Sequence, residues 1–261
     1  MPEIIEVEAA RRLIEERALG REIASVFAPD AWFLKRGLTA TALDTALPGR
    51  CLTTARRRGK LMLVDTDKGA GPILGLHLGM SGRVLVDDEA AGDPLIYASN
   101  RTVPAWHRFG LEFADGGTLF LRDPRRLGGV ELDPDEERLG VDAFEITAAQ
   151  LAAVVEASRA PIKAVLMNQA RIAGLGNLLV DEILWRTGVD PARTAKTLDA
   201  NDRRRLHRAI GSTLRLTTRR GGSHTGDLPR IADEPCPKDG APIVRRTIAG
   251  RTTFSCPEHQ R

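Results

Sequence analysis

The feature that most constrains the fold of this 261-residue chain is a change in hydrophobic period near residue 133. Before it, apolar runs at 61–64 and 73–78 have the length of buried strands. Apolar residues alternate along 109–113, and the Asp-Gly-Gly sequence at 115–117 is typical of a tight turn between paired strands. The span 22–132 therefore predicts an antiparallel sandwich or barrel.

The pattern after this span is helical, and a polar, turn-rich segment at 133–137 separates the two halves. Apolar residues recur at helical spacing, and glycines mark the helix ends. The tail from residue 235 holds two strand-like pieces that flank Ala249 and Gly250. We predict an α+β protein with helices over 9–19, 148–157, 162–169, 178–186 and 201–217.

Positive charge is unevenly distributed along the chain. The formal net charge is only +3, yet arginines cluster at 56–58, 125–126, 203–205 and 219–220. Basic clusters in a nearly balanced chain favour a polyanionic partner such as nucleic acid. The alternative is an ordinary solvated surface.

The cysteines and the N-terminus limit the cellular location. Cys51, Cys236 and Cys256 are too few, and odd in number, for a disulfide framework, which favours a reducing compartment. The first residues carry acids where a signal peptide would be basic. No stretch approaches the roughly 20 apolar residues of a membrane span. We therefore expect a cytoplasmic protein with no membrane partner.

The N-terminus also has the residue types of a nucleophilic site. Removal of Met1 would expose the secondary amine of Pro2, and an α-amino group has a pKa of about 8, so part of it is neutral at neutral pH. Glu3 and Glu6 follow within one helical turn and could transfer protons. The alternative is structural: proline is common at helix starts, and acids there complement the helix dipole.

Segments along the whole chain resemble the formamidopyrimidine-DNA glycosylase and endonuclease VIII family. They occur in the family's order, from residue 2 to residue 259. They are Pro2-Glu3 with Glu6-Val7-Glu8, His77-Leu78-Gly79-Met80-Ser81-Gly82, Asp123-Pro124-Arg125-Arg126-Leu127-Gly128, Gly174-Leu175-Gly176-Asn177 running into Asp181-Glu182-Ile183-Leu184, and the C-terminal tail.

The resemblance implies a bifunctional DNA glycosylase and AP lyase of base excision repair. Pro2 would attack C1′, the base would leave, and β- and δ-elimination would nick the strand. Glu3 would protonate the sugar ring oxygen, Glu6 would assist, and Lys60 would meet the DNA near the scissile sugar, with no cofactor needed for this chemistry. The alternatives are a non-catalytic protein that binds damaged or abasic DNA, favoured by a retained Met1, and an RNA or ribosomal binding protein.

The resemblance also implies the residues that hold the DNA. Met80, Arg125 and Leu127 would fill the space left by the flipped base, and His77 belongs to the same segment as Met80. The family usually has phenylalanine where this chain has Leu127, which leaves the preference for the opposite base open.

Further DNA contacts are implied in the second half of the chain. They are Lys163 near the lesion pocket, Asn177 as helix N-cap and phosphate ligand, and Arg251 at the tip of the C-terminal hairpin. The connection between Gly222 and Cys236 is shorter than in many members, which leaves the choice between oxidised purines and oxidised pyrimidines open.

The tail resembles the family's zinc-finger hairpin with two ligands replaced. The four positions are Cys236, Asp239, Cys256 and His259 in the usual spacing. All three residue types bind zinc, so we expect a structural zinc ion. The alternative is a hairpin without zinc that packs around Ile243, Val244 and Phe254.

Three domains follow from these comparisons of pattern and motif. We expect an N-terminal catalytic β-sandwich domain over 1–135, a helix–two-turn–helix DNA-binding domain over 145–225 and a zinc-finger-like hairpin over 229–261. Double-stranded DNA with a damaged base or an abasic site would lie in the cleft between the two halves. The protein is expected to act as a monomer in the bacterial cytoplasm, associated with the nucleoid through DNA.

Overall fold

A computed structural model of the protein describes residues 2–92, 94, 96, 98–101 and 103–261. Met1, whose removal is expected, lies outside the described residues. The chain divides into two compact units, residues 1–136 and 137–261, and the division falls within the polar segment 133–137. Each unit is described by itself.

The helices and strands are numbered in chain order. In the first unit they are α1 (Ile4–Arg17), β1 (Ile23–Phe27), α2 (Ala40–Ala46), β2 (Leu52–Arg58), β3 (Leu61–Thr66), β4 (Ile73–His77), β5 (Arg83–Val86), β6 (Glu89–Ala90), β7 (His107–Phe113), β8 (Thr118–Arg122) and β9 (Gly129–Leu132). In the second unit they are β10 (Val141–Asp142), α3 (Ala148–Glu156), α4 (Ile162–Met167), β11 (Ile172–Ala173), α5 (Asn177–Thr187), α6 (Ala200–Arg219), β12 (Val244–Ile248) and β13 (Arg251–Ser255).

Two antiparallel sheets form the first unit, which confirms the predicted β-sandwich. One has the strand order β1-β7-β8-β5-β6 and the other β2-β3-β4-β9. Alternating side chains of β7 and β8 meet the inner residues of β3 and β4 in one apolar core. Representative members are Met62, Leu76, Phe109 and Leu121, all fully buried.

Two helices of this unit differ from the sequence prediction. Helix α1 begins at Ile4, five residues before the predicted start, because Glu3 and Glu6 form a capping box and Ile4 and Ile5 are buried with the rest of the apolar face. Helix α2 lies inside the span predicted to be strand. The hydroxyl of Thr39 caps it by accepting a hydrogen bond from the backbone N–H of Ala42 at 3.1 Å.

The second unit is mainly helical, as predicted. Helix α4 ends at Met167, two residues early, because the side chain of Gln169 leaves the helical path and bonds the carbonyls of Met167 and Leu175 at 2.8 Å each. Helices α3, α5 and α6 lie within two residues of their predicted bounds. Strands β12 and β13 form the predicted C-terminal hairpin. Among the described helices, none is both long and apolar enough to cross a membrane.

Candidate functional site

The first turn of α1 holds the residues predicted to be catalytic. Glu3 is fully buried, its backbone N–H donates to Glu6 Oε2 at 2.8 Å, and its carboxylate accepts from the backbone N–H of Glu6. Pro2 is also buried. This capping box stabilises the helix start and fixes both carboxylates within one turn of Pro2. The same geometry is therefore compatible with both a helix-capping role and the predicted catalytic role of these acids.

Lys60 lies in the turn between β2 and β3, as predicted for a basic loop. It follows Gly59, whose φ of 60° favours glycine. The neighbouring arginines are less available than the sequence indicates: Arg56 is held in ion pairs with acids of its own unit, and Arg57 is almost buried. The basic cluster at 56–58 is therefore partly neutralised within the protein.

Glu8 joins α1 to this basic turn. Its carboxylate accepts hydrogen bonds from Arg57 at 3.1 Å and from Arg11 at 3.0 Å. Burial alone would raise the pKa of Glu8, but the hydrogen bonds from these arginines outweigh it and lower the pKa. Arg11 also donates to the carbonyl of Ala55 in β2 at 3.0 Å. These contacts fix the helix that carries Pro2 against the strand that leads to Lys60.

A buried carboxylate organises two loops that carry predicted DNA contacts. Asp123 is fully buried and accepts hydrogen bonds from the hydroxyl of Ser81 and from the backbone N–H groups of Arg125 at 3.0 Å, Leu127 at 2.8 Å and Gly128 at 2.8 Å. It thereby joins loop 78–82 to loop 123–128. We call this pair of loops the Asp123 loops.

The Asp123 loops carry three of the predicted DNA-contacting side chains on one joined pair of loops. Met80 is 37% exposed, Leu127 is 47% exposed, and Arg125 is exposed. The loops pack closely: a Cβ atom at Gly79 would lie 2.3 Å from the carbonyl carbon of Leu127. His77 ends β4 beneath them, and its Nδ1 accepts a hydrogen bond from the Gly79 N–H at 3.1 Å. The structure thus brings these four residues together.

A second acidic residue, Asp30, forms an ion pair with one of the Asp123 loops. Arg126, with a φ of 57°, pairs with Asp30 at 2.6 Å, and this hydrogen bond lowers the pKa of Asp30. Asp30 also accepts from the N–H of Trp32 at 3.2 Å. The Trp32 side chain is 69% exposed, and the Lys35 ammonium lies 5.5 Å from its ring centroid. No sequence pattern singles out this exposed aromatic residue.

Asn177 is the first residue of α5, so its prediction as the N-cap is wrong. Gly176, in an extended conformation, occupies the capping position, and the Asn177 side chain instead donates to the carbonyl of Thr252 at 3.0 Å. The loop before α5 is fixed by Gln169, whose side chain accepts from the Gly174 N–H at 2.9 Å. The start of α5 and the hairpin strand β13 are therefore held together.

Lys163 is fully buried in the second unit. Its ammonium group pairs with Asp181 at 2.6 Å and donates to Thr253 Oγ1 at 2.7 Å and to the carbonyl of Thr252 at 3.1 Å. Asp181 also accepts from the N–H of Phe254 at 3.2 Å. Lys163 thus ties α4, α5 and β13 to one another. A DNA contact would require it to leave these partners, and that contact stays a prediction.

Arg251 lies beside the tip of the hairpin, where the sequence places it. The turn residues Ala249 and Gly250 have φ values of 48° and 74°. Two successive positive φ values are the signature of a type I′ turn, which matches the twist of paired strands. Arg251 pairs with Ile248 across this turn and is exposed.

The short connection after α6 is fastened to the helices. Glu182 is almost fully buried and accepts from the Leu228 N–H at 2.9 Å and from Arg186 at 2.6 Å. Asp227 pairs with Arg220 at 2.6 Å and also with Arg186. These contacts hold residues 227–228 against α5 and α6, so this part of the connection is a fixed element of the fold.

The four residues predicted to bind metal lie together at the base of the hairpin. Their ligand atoms are all within 4.8 Å of one another. Cys236 Sγ lies 3.6 Å from His259 Nδ1, and Cys256 Sγ lies 3.2 Å from an oxygen of Asp239. Cysteine, histidine and aspartate all bind zinc, and tetrahedral zinc separates its ligands by about 3.3–3.8 Å, so the donor set fits zinc and the Cys236–His259 pair already has this spacing.

The surroundings of this cluster orient its ligands. His259 Nε2 lies 3.1 Å from the carbonyl of Trp185, which leaves Nδ1 facing the cluster, as in many metal-bound histidines. Nδ1 is also 2.7 Å from Asp239, the geometry of an ion pair. The backbone N–H of Ala241 and the side chain of His259 hold the pKa of Asp239 well below its usual range. The same residues can therefore bind a metal or pair with one another.

Comparisons with known proteins agree with this arrangement. The model of the formamidopyrimidine-DNA glycosylase N-terminal domain matches residues 1–130, and the model of the formamidopyrimidine-DNA glycosylase H2TH domain matches residues 136–228. The chain is 34% identical to the formamidopyrimidine-DNA glycosylase of Rhizorhabdus wittichii, and each protein is covered completely. This chain belongs to the formamidopyrimidine-DNA glycosylase family.

Other family members extend the likeness to the fold. The formamidopyrimidine-DNA glycosylase of Gluconobacter oxydans is 35% identical, again with both chains fully covered. A crystal structure of Lactococcus lactis Fpg with DNA that contains an abasic site has a TM-score of 0.84 at 26% identity, with all of both chains covered. A structure of MutM with DNA that contains carbocyclic 8-oxo-G gives the same TM-score at 27% identity and the same coverage.

The residues that sequence reasoning missed are supports. Asp123 stands in a quoted motif, yet no role was predicted for its side chain, and Asp30 and Ser81 were not singled out. An aspartate directly before a turn of proline, arginine and glycine is a signal for side-chain bonds to the following backbone N–H groups. That signal could have identified Asp123. Nothing local in the sequence indicates the partner of Asp30, because Arg126 is 96 positions away.

Proposed function

We infer that this protein is a bifunctional DNA glycosylase and AP lyase of base excision repair. Its substrate would be double-stranded DNA with a damaged base or an abasic site. The observation that carries this inference is the first turn of α1, where Pro2 adjoins a fully buried Glu3 and the Glu6 that caps it. Membership of the glycosylase family supports the same conclusion.

The proposed reaction begins with the neutral secondary amine of Pro2. It forms a bond to C1′ as the base leaves with the electron pair of the glycosidic bond, and the proton lost from the Pro2 nitrogen balances the proton that the departing base takes up. Glu3 donates a proton to the sugar ring oxygen as the ring opens to the iminium. β-Elimination then removes a C2′ proton and breaks the C3′–O bond to phosphate, and δ-elimination removes a C4′ proton and breaks the C5′–O bond. Water hydrolyses the iminium and releases Pro2. Glu6 positions the start of the helix, and Lys60 binds phosphate near the sugar.

Base extrusion is assigned to the Asp123 loops. Flipping a nucleotide out of the duplex costs a few kcal/mol of stacking and pairing. Met80 and Leu127 would fill the space that the base leaves, and Arg125 would hydrogen-bond the orphaned partner base. The hydrogen bonds of Asp123 that fix these loops support this role, because side chains on a flexible loop could not hold the two DNA strands apart.

The second half of the chain is proposed to bind the DNA backbone. Asn177 at the start of α5 and Arg251 at the hairpin tip would hold phosphates. Lys163 would act through the hairpin that it anchors. In this proposal residues 1–135 form the catalytic domain, 145–225 the DNA-binding helical domain and 229–261 the hairpin.

We also propose that the hairpin binds a structural zinc ion. Cys236, Asp239, Cys256 and His259 would hold it, and the ion would fix the hairpin that carries Arg251. The donor types, their clustering and the orientation of His259 support zinc. The bacterial relatives support a place in the bacterial cytoplasm, with the nucleoid as the site of action.

A panel of duplexes, each with one defined lesion or an abasic site, tests the function. The expected result is base loss followed by strand nicking with β,δ-elimination products for at least one oxidised base. The residues leave open whether that base is a purine or a pyrimidine, and the panel decides this. Tight binding of every damaged duplex with no cleavage of any would contradict the proposal and support the non-catalytic binder.

A further inference from the structure

Helix α6 carries a stripe of arginines that the DNA contacts proposed above do not use. Arg204, Arg208, Arg215 and Arg219 are all exposed and fall within about 60° of one another around the helix. Within the described part of the chain, none of the four takes part in an ion pair. Like charges one turn apart on a helix repel each other, so this arrangement is mildly unfavourable unless something anionic binds to it.

Half of this stripe borders a groove in the second unit. The groove has a volume of about 740 Å³, within the range of ligand sites, and Arg208 and Arg215 both line it. Its exposed apolar surface comes mainly from Phe144, which is 40% exposed, since Ile146 and Ile210 beneath it are buried. No acidic side chain is among the described residues that line the groove.

A glycine in the middle of α6 lets an arginine lie across the helix at the groove. A Cβ atom at Gly211 would lie 3.2 Å from a guanidinium nitrogen of Arg215. Glycine weakens a helix interior compared with alanine. Its presence here leaves room for the Arg215 head group beside the apolar surface, where a guanidinium can meet a carboxylate in the bidentate geometry.

We propose that this groove binds a short acidic peptide segment that carries an apolar side chain. The guanidinium groups of Arg208 and Arg215, which form no ion pair with a described residue, would bind carboxylates, and the apolar side chain would pack against Phe144. The backbone of a DNA duplex presents charged phosphates and polar sugars and has no apolar side chain, so it leaves this apolar surface unfilled. The chemistry therefore favours an acidic protein partner, and this inference does not depend on the repair activity.

Fluorescence anisotropy with the full-length protein tests this inference. The probe is a fluorescein-labelled peptide of aspartates around a central phenylalanine. The double substitution Arg208→Glu and Arg215→Glu should weaken binding by about tenfold or more, because two charge-assisted contacts become repulsive. The matched control is Arg204→Glu with Arg219→Glu, which makes the same change of charge on the same face of α6 but outside the groove.

The outcomes separate the groove from general attraction between charges. Control binding within about twofold of the wild type supports the inference. An equal loss in both double variants, or no binding of the probe by the wild type, overturns it. A matching loss of affinity for abasic duplex in the Arg208 and Arg215 variant also overturns it, since the groove would then contact nucleic acid.

A third variant keeps the charge and tests the apolar surface. Phe144→Ala should weaken binding of the phenylalanine peptide and leave binding of the corresponding alanine peptide unchanged. Equal effects on both peptides would contradict the predicted packing. Melting curves of all variants report whether the fold is retained, and the unaffected peptide serves as an internal check of folding for this variant.

Discussion

The Asp123 loops and the C-terminal hairpin both present candidate DNA contacts on turns, but they are supported in different ways. The Asp123 loops lie on the apolar core of the sandwich, and a buried carboxylate binds a hydroxyl and three backbone N–H groups. The hairpin has a small core around Ile243 and Trp185 and a cluster of four polar ligands. The apolar core of the first unit supports the Asp123 loops, whereas a small core and four polar ligands support the hairpin.

This difference predicts which substitutions each region can accept. Changing the carboxylate of Asp123 would leave several buried donors without an acceptor at once, which costs far more than changing one metal ligand for another of similar reach. The replaced ligand positions, Asp239 and His259, lie in the hairpin.

The largest predicted effect is that of Asp123→Ala. The loss of the carboxylate leaves the N–H groups of Arg125, Leu127 and Gly128 without their acceptor, at a cost of roughly 4 kcal/mol of unfolding free energy. Urea denaturation measures this, and base excision should fall in parallel. The control is Asp115→Ala, an exposed partner of Arg21 whose loss should change stability little. Equal stability of the two variants would remove the distinction between the two regions.

Removal of zinc should have the next largest effect, and it should act on the hairpin. At a metal concentration a hundredfold above the dissociation constant, binding stabilises the folded state by about 2.7 kcal/mol. Chelation should therefore lower the melting temperature of the wild type and have no effect on Cys256→Ser. Cys51→Ser, a cysteine outside the cluster, should respond like the wild type. A wild type that melts identically with and without chelator holds its hairpin by packing alone.

Arg251→Ala should have a smaller effect, which is confined to binding. The loss of one phosphate contact should weaken affinity for abasic duplex about tenfold and reduce the salt dependence of binding by about one ion. Titrations at several salt concentrations measure both. Arg245→Ala, an exposed arginine on the other strand of the hairpin, is the matched control. Unchanged affinity and turnover in Arg251→Ala would show that the hairpin does not deliver this residue to DNA.

The smallest predicted effect is a pH dependence of the brace between Asp30 and Arg126. The pKa of folded Asp30 lies below its ordinary value of 3.8. Its stabilisation is therefore complete above that value and is lost as the pH falls through the folded pKa. Melting temperatures between about pH 5 and about pH 3 should fall more steeply for the wild type than for Asp30→Asn. Parallel curves would mean that the brace contributes nothing.

The sequence predicts the fold well because hydrophobic period carries most of the information. The alternation at 109–113 and its return at 119–121 appear in the structure as the pair β7 and β8. Helix α1 begins before its predicted start because this start depends on a capping box, which the apolar pattern alone does not reveal. Helix α2 was missed because seven residues are too few for a clear helical period.

The candidate site was only partly predictable. Motifs indicate the exposed side chains Met80 and Arg125, since the segments that contain them resemble motifs of the family. They do not indicate long-range ion pairs such as Asp30 with Arg126. They also do not indicate that Lys163 is buried in an ion pair with Asp181 and in hydrogen bonds to the hairpin. These partners are set by tertiary packing, which brings together residues far apart in the chain.

The central claim is that the amine of Pro2 is the nucleophile, and borohydride trapping tests it most directly. The enzyme is mixed with abasic duplex and borohydride, and the covalent adduct is digested and mapped by mass spectrometry. We predict one adduct, attached to an N-terminal peptide that begins at Pro2, and its absence in a protein that retains Met1. An adduct on a lysine, or none at all with duplex that the protein binds, would contradict the account.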